Sequence, residues 1–309
     1  MNAAPPPEQP LKPANRRRTT LLLRMGLLMG GALAATLAAT WIYFHPSAQR
    51  QRGVCYGSRD GVSLCLDIAT PKEANGLGIV FIVSGGWKSS HDRGHEWLTA
   101  PFLRRGYTVF SVFHLSQPRA TVAEIFADVS RAIRFIGNRA EEYGVDPDRL
   151  GVIGGSAGGH LSLLLATQGG PEPAADGTSI KSRVRAAVVF CPVTDLTDLT
   201  GSTEDPGDGG PPRNFRAAFD QRPVDIDRWR ETARELSPLH HVTSDLPPTL
   251  IFHGDRDTLV PISQSERFRD AAVTAGCDVE LVVIRGAGHT WLTMPLQVIQ
   301  AARWFDAQL

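Results

Sequence analysis

Residues 150–166 read Leu-Gly-Val-Ile-Gly-Gly-Ser-Ala-Gly-Gly-His-Leu-Ser-Leu-Leu-Leu-Ala. A short apolar run meets a cluster of glycines around Ser156, and a second apolar run of helical length follows. The pattern is strand, sharp turn, helix, with a serine at the apex. Such a turn strains the backbone of its central residue and brings neighbouring segments close, so both flanks must be small. Gly154 and Gly158 stand two residues either side of Ser156 and complete a G-x-S-x-G pattern. A Gly-rich loop cradling a phosphate is the competing reading of the same residues. No Lys-Ser or Lys-Thr pair follows the glycines, as a phosphate loop would need.

A strand that runs straight into a helix implies crossover connections, and the chain beyond residue 77 agrees. Apolar strand-like runs at 78–83, 108–113, 150–153, 186–190, 249–253 and 279–284 alternate with helical patterns near 95–105, 121–140, 159–168, 263–275 and 295–307. The alternation predicts an α/β fold, a mostly parallel twisted sheet with helices on both faces. Ile125, Val129, Ile133, Ile136 and Ala140 share one face at helical spacing and are assigned to the core. At 309 residues the chain suits one such sheet carrying an insertion. The irregular stretch 195–245 is that insertion. Its residues 201–212 are rich in Gly, Pro, Asp and Glu and predict a mobile loop. Residues 213–236 carry a helical pattern around Trp229 and Ala233, where a lid over a site would be placed.

Residues 1–24 form a basic N-terminus that is expected to be disordered, being rich in Pro and Ala up to residue 15. Residues 25–44 carry no charge and as a helix would be about 30 Å long, the thickness of a bilayer core. Trp41 and Tyr43 stand at the far end, where interfacial aromatics belong. Lys12, Arg16, Arg17, Arg18 and Arg24 outweigh Arg50 and Arg52 on the other flank. This asymmetry predicts a transmembrane anchor with a cytoplasmic N-terminus and an exported body. A signal peptide cleaved near Ala32-Leu33-Ala34, giving a secreted protein, is the alternative. Residues 45–53 read as a polar linker, and 54–309 as the globular body.

Residues 54–68 predict a hairpin turning at Arg59-Asp60-Gly61. A three-residue turn with Gly61 left-handed sets Cys55 opposite Cys65; a slip of one residue pairs Cys65 with Tyr56 instead. An exported domain permits a disulfide there, and two unpaired thiols are the alternative. Cys191 and Cys277 adjoin strand-like runs and are expected to stay reduced. The four cysteines form no C-x-x-C pair and no His/Cys cluster at zinc spacing, which argues against a metal site. With 32 Lys plus Arg against 32 Asp plus Glu there is no basic excess of the kind that binds nucleic acid.

An activated hydroxyl needs a base within reach, a group orienting that base, and donors for the charge that develops on the substrate oxygen. If nucleophile, acid and histidine follow one another along the chain, the base is His289. Of nine histidines it alone lies C-terminal to both Ser156 and the acidic loop 255–257. It closes the flexible run Gly286-Ala287-Gly288-His289. The acidic loop reads His253-Gly254-Asp255-Arg256-Asp257-Thr258-Leu259-Val260-Pro261, in which two carboxylates compete. His160 and His253 are expected to pack or hydrogen-bond locally.

These motifs resemble the α/β-hydrolase superfamily, and within it the small serine esterases of the hormone-sensitive-lipase and bacterial feruloyl- or acetylxylan-esterase kind. The resemblance covers 54–309 apart from 197–232. The family pattern His-Gly-x-x-Asp-x-x-Val-Pro implies that Asp257 is the acid and that Asp255 stabilises its loop. With Ser156 and His289 it implies hydrolysis of small-molecule or polysaccharide-linked carboxylic esters through an acyl-enzyme, without a cofactor. The family carries His-Gly-Gly-Gly-Trp in its oxyanion loop, where this chain has Val83-Ser84-Gly85-Gly86-Trp87. Gly85 and Gly86 resemble the family's amide donors, and Ala157 matches the amide after the nucleophile. Replacing the His by Val83 and one Gly by Ser84 removes a brace from the loop. Pro192-Val193-Thr194-Asp195-Leu196 also matches the family, with Asp195 in a structural role. A prolyl-oligopeptidase-type serine peptidase shares the fold and triad, but Ser156-Ala157-Gly158-Gly159 resembles the esterase elbow. A non-catalytic hydrolase-fold binding module would be expected to lack a triad member, and all three are present.

Overall fold

The computed structural model describes residues 16–92, 96–169 and 184–309, which fall into two units dividing between His45 and Pro46. The first is a single helix, α1 (Arg16–Phe44). Its segment Arg24–Phe44 is 21 residues of high mean hydropathy, long and apolar enough to cross a membrane. Leu27, Leu28, Met29, Leu33 and Leu37 are exposed on it. The Thr36 and Thr40 hydroxyls donate to the carbonyls of Ala32 and Thr36, so neither hydroxyl is left unpaired on an apolar surface. Residues 16–24, expected to be disordered, are the first turns of this helix, where Arg and Leu favour helix. The remainder of the expected disordered segment, 1–15, lies outside the described residues.

The second unit is built on an eight-stranded sheet in the order β1-β2-β4-β3-β5-β6-β7-β8. Its strands are β1 (Ala48–Arg59), β2 (Val62–Pro71), β3 (Gly78–Ile82), β4 (Thr108–Val112), β5 (Leu150–Gly155), β6 (Ala186–Phe190), β7 (Thr249–Gly254) and β8 (Val279–Ile284). The pairs β1/β2 and β2/β4 are antiparallel, and every pair from β4 to β8 is parallel. The helices α2 (Glu96–Leu103), α3 (Val122–Arg139), α4 (Ala157–Gln168), α6 (Ser263–Thr274) and α7 (Met294–Gln308) cover the sheet, and α5 (Ile226–Glu235) lies in the insertion. Successive strand residues face opposite ways. Accordingly Val80, Ile82 and Val152 pack in one cluster with Ile125 and Ile133 of α3 and Leu161 of α4, while Ile79, Val109 and Ile153 pack in another with Phe102 of α2 and Phe305 of α7. Helix α3 starts on a capping box in which Thr121 and Glu124 satisfy each other's backbone amides.

The segment read as a linker, 45–53, is corrected by the structure: all but its first three residues belong to β1. Ala48 pairs with Pro71 and Gln51 with Ile68, so backbone bonds to β2 hold this stretch. Residues 49–53 are exposed on both faces of an edge strand, which leaves no apolar alternation to read.

The hairpin reaches its expected register by an unexpected route. The turn has two residues, Asp60 and Gly61, both at positive φ, and Arg59 pairs with Val62. Continued regularly, that register would set Tyr56 opposite Cys65. A bulge between Cys55 and Gly57 restores Cys55 to Cys65, and the two form a disulfide. The bulge also turns Tyr56 into the core, where its hydroxyl donates to the Phe113 carbonyl.

Candidate active site

The carboxyl ends of β5, β7 and β8 bring three loops together, and the first is the turn at Ser156. Its φ is +54° and its ψ −120°, a conformation that costs an L-residue of order 1–3 kcal/mol. Close packing holds it there. A Cβ on Gly158 would stand 2.6 Å from the Ile82 carbonyl oxygen, and one on Gly154 would stand 2.3 Å from that of Gly158. The Ser156 amide donates to the Phe190 carbonyl at 2.7 Å. Helix α4 therefore begins at Ala157, two residues before the expected start, with Gly158 and Gly159 inside it.

Asp257 is buried in the loop after β7. Its Oδ1 accepts from the amides of Leu259 and Val260 at 2.9 and 3.0 Å, and its Oδ2 lies 2.7 Å from His289 Nδ1. Burial alone would raise the Asp257 carboxyl. Hydrogen bonds from His253, His289 and Val260 outweigh it and hold the group well below the usual carboxylate range. A carboxylate facing Nδ1 requires the proton on that nitrogen. The other ring nitrogen is then an acceptor, and His289 Nε2 lies 2.9 Å from Ser156 Oγ. Asp255 is exposed, and its Oδ1 accepts from the Gly286 amide at 2.6 Å, tying the acid loop to the histidine loop. The same two loops pass so closely at Gly254 that a Cβ there would lie 2.4 Å from the carbonyl oxygens of Ala287 and Gly288.

Of the glycines beside Ser156, Gly85 differs from expectation. Its amide donates to the Lys88 carbonyl at 2.9 Å, and Lys88 returns a bond to Gly85 at 3.0 Å. The turn so closed leaves Gly86 at φ +54° and Trp87 at φ +55°. Among the described residues no acceptor faces the Gly86 or Ala157 amide, and Ala157 opens α4, where a helix has no internal partner to offer.

Several supporting residues escaped the sequence reading because their partners are remote in the chain. The Trp87 indole donates to His160 Nδ1 at 3.2 Å, and His160 Nε2 donates to the Leu236 carbonyl at 2.7 Å, linking the Gly86 turn through α4 to the insertion. His160 is fully buried, and burial pushes its pKa down to about 4 against a weaker upward pull from the Leu236 carbonyl. Ser84, which stands where the resembling esterases have Gly, donates to His114 Nε2 at 2.9 Å while His114 Nδ1 donates to the Leu115 carbonyl at 3.0 Å. His114 thus supplies a brace to the loop whose family histidine is replaced. Asp195 is buried, accepts from the Thr197 amide and pairs with Arg267 at 3.1 Å, in keeping with a structural role. Residues 201–212 are tied down by bonds from the Thr203 amide to the Thr258 carbonyl and from Ser202 Oγ to the Leu259 carbonyl.

Cys191 is a free, buried thiol at φ +43° whose Sγ lies 3.2 Å from the His289 carbonyl oxygen. Burial first and the Asp257 charge second push this thiol up, so it remains a neutral donor bracing the histidine loop. Cys191, Asp257 and His289 place ligand-type atoms within 4.8 Å of one another. The protonated thiol and the Asp257–His289 bond give that cluster the character of a hydrogen-bonded set. A cavity of about 600 Å³ and another of about 80 Å³ both open at Ser156.

The buried neutral His160 has a consequence for stability. The unfolded chain protonates this imidazole below about 6.5 and the native protein only near 4, so the unfolded state binds more protons between those values. Stability is complete above pH 6.5 and falls as pH drops through the window, by about 3 kcal/mol for this group. Urea unfolding at pH 7, 5.5 and 4.5 should show that loss. His160→Gln should lack this component of the slope, and an unchanged slope would show that His160 does not carry it.

Residues 66–271 match the BD-FAE family model. The probable carboxylic ester hydrolase LipM of Mycobacterium tuberculosis is 32% identical over 197 residues, covering 62% of this chain and 44% of that protein. A truncated carbohydrate esterase from gut microbiota superposes with a TM-score of 0.71 at 25% identity, over 85% of this chain and 98% of its own. The butyrate-bound esterase Est2 of the planctomycete Thermogutta terrifontis gives 0.68 at 29% identity, over 85% and 94%. The chain spans about half the length of the curated relatives it matches.

Proposed function

The chain belongs to the BD-FAE family, and on that premise we propose that it hydrolyses carboxylic esters through an acyl-enzyme on Ser156. The observation that carries this reading is the placement of His289 between Asp257 at 2.7 Å and Ser156 at 2.9 Å, in a tautomer whose Nε2 can only accept from the serine. Ser156 Oγ attacks the ester carbonyl carbon while its proton passes to His289 Nε2. The carbonyl π pair moves onto oxygen, and the oxyanion is held by the Gly86 and Ala157 amides. Collapse of the intermediate breaks the bond to the alcohol oxygen, which leaves with the proton from His289. Water then attacks the acyl-enzyme, gives its proton to His289, and the second collapse expels Ser156 Oγ, reprotonated by the same nitrogen. Asp257 stays ionised throughout and stabilises the imidazolium. Gly85, whose amide serves the Lys88 carbonyl, has no part in the hole. The names of the relatives and neighbours support the ester class. A fluorophosphonate should form one adduct, at Ser156, and abolish hydrolysis of p-nitrophenyl butyrate. An active preparation that takes up no label would refute the assignment.

We further propose that α1 anchors the protein in a membrane with the second unit exported. The apolar length of Arg24–Phe44, the basic flank at Arg16, Arg17 and Arg18, and the Cys55–Cys65 disulfide support this placement. The full-length protein should stay with membranes after a carbonate wash, and protease added outside spheroplasts should digest the body. A soluble form beginning near Ala35 would show a cleaved signal instead.

A further inference from the structure

We infer that the site is built for esters that join a short acyl group to a large apolar alcohol, and against esters of sugar alcohols; the inference rests on the ester-hydrolase reading above. Two cavities of unequal size meet at Ser156. The larger, about 600 Å³, runs down the face of the sheet covered by α2 and α7, between Phe81, Leu98, Phe102, Val109, Ile153 and Val298. The smaller, about 80 Å³, is walled by Trp87, Leu196, Leu199 and Phe215. At about 80 Å³ the small cavity suits a short acyl chain. The large one admits a group several times that size.

Which half of the ester enters which cavity follows from where the proton must go. The departing oxygen takes its proton from His289 Nε2, so the alcohol must lie against that ring. His289 and Thr290 line the large cavity and not the small one. Ala157, whose amide is proposed to hold the oxyanion, lines the small cavity and not the large one, while Gly86 borders both. The alcohol therefore occupies the large cavity and the acyl group the small one. Water for the second step enters where the alcohol has left, beside the same nitrogen.

The chemistry of the large cavity selects the alcohol. Lys88, Ser90 and Asp92 line it from exposed positions. Two of its buried polar side chains are already engaged: the Thr99 hydroxyl donates to the Glu96 carbonyl, and the Cys191 thiol to that of His289. A sugar seated past these exposed residues would bring several hydroxyls into the apolar part of the cavity, a cost that an alkyl or polycyclic alcohol does not incur.

The test uses the full-length chain in detergent micelles and two isomeric esters, decyl acetate and methyl undecanoate, which match in composition and differ in the direction of the ester. Acetylated xylobiose supplies the sugar alcohol, and p-nitrophenyl acetate reports the chemistry itself. For decyl acetate kcat/KM should exceed that for methyl undecanoate and for acetylated xylobiose by about tenfold or more, the scale of pocket discrimination. A preference for methyl undecanoate, or equal use of the xylobiose ester, overturns the inference and leaves the ester-hydrolase reading standing. Failure to turn over p-nitrophenyl acetate overturns both. Leu98→Trp, which fills part of the large cavity, should lower the ratio of decyl acetate to p-nitrophenyl acetate turnover by roughly tenfold. An unchanged ratio counts against the assignment.

Discussion

Ser156→Ala is expected to reduce kcat for p-nitrophenyl butyrate by about 10⁴–10⁶-fold, the range found when a triad nucleophile is removed. The variant removes the one atom that His289 Nε2 approaches at 2.9 Å and leaves the amides of Gly86 and Ala157 in place. What remains is binding and oxyanion stabilisation, which together still outperform water. Half-buried Ser156 gives a water access to the freed nitrogen, so the fold should not suffer. The strained φ of +54° allows a second reading of the same position. Alanine inherits the strain, whereas glycine adopts this conformation freely. Ser156→Gly should therefore be as inactive as Ser156→Ala and at least as stable, despite the roughly 0.5–1 kcal/mol that glycine ordinarily costs in unfolded-chain entropy. A Ser156→Ala protein retaining more than about one hundredth of the activity would exclude Ser156 as the nucleophile, since losing the nucleophile of a serine protease costs about 10⁶ in turnover.

What was legible in the sequence was whatever short-range pattern specifies. The strand–turn–helix at Ser156 depends on glycines within two residues, and the order of Asp257 and His289 depends only on which strands precede them. The sheet followed from apolar runs because β3 to β7 are buried on both faces. The first half of β1 carried no such signal, because an edge strand with both faces in solvent is held by backbone bonds that any polar side chain allows. The hairpin register was legible in outcome and not in route. A type I′ turn and a compensating bulge at Tyr56 produce the same Cys55–Cys65 facing as a longer turn, and only the burial of Tyr56 separates them. The Gly85 amide meets the Lys88 carbonyl, a partner no motif signals, because a glycine amide serves a turn as readily as a substrate. The Trp87–His160–Leu236 chain and the Ser84–His114 bond join residues up to 76 apart in sequence, and no spacing rule connects them.

Asp257→Asn and Asp255→Asn then separate the two carboxylates that the acid loop offers. With an amide at position 257, the Oδ1 that receives the Leu259 and Val260 amides can be kept, which turns the NH₂ group toward His289 Nδ1. That nitrogen must then accept, its proton moves to Nε2, and Nε2 faces Ser156 Oγ as a donor that cannot take a proton. The expected loss is about 10⁴ in kcat, the size of the tautomer effect in serine proteases. Stability should also fall, because the carboxyl is held below its usual range by the bonds it receives and contributes most above the unfolded value near 3.9. Losing charge-assisted bonds from His253 and His289 is worth about 1–3 kcal/mol, and the difference from the parent should shrink as pH falls toward 3 and the carboxyl of the unfolded chain is protonated. Asp255→Asn meets none of this. Its oxygen can go on accepting from the Gly286 amide, the side chain is exposed, and it does not touch the imidazole. Activity should stay within a few-fold of the parent and stability within about 0.5 kcal/mol, the scale of surface changes. The two variants therefore diverge by orders of magnitude in turnover while both remain folded by circular dichroism. If Asp255→Asn is the inactive one, the carboxylate that orients His289 in solution is not the one that meets it here, and the acid assignment fails with it.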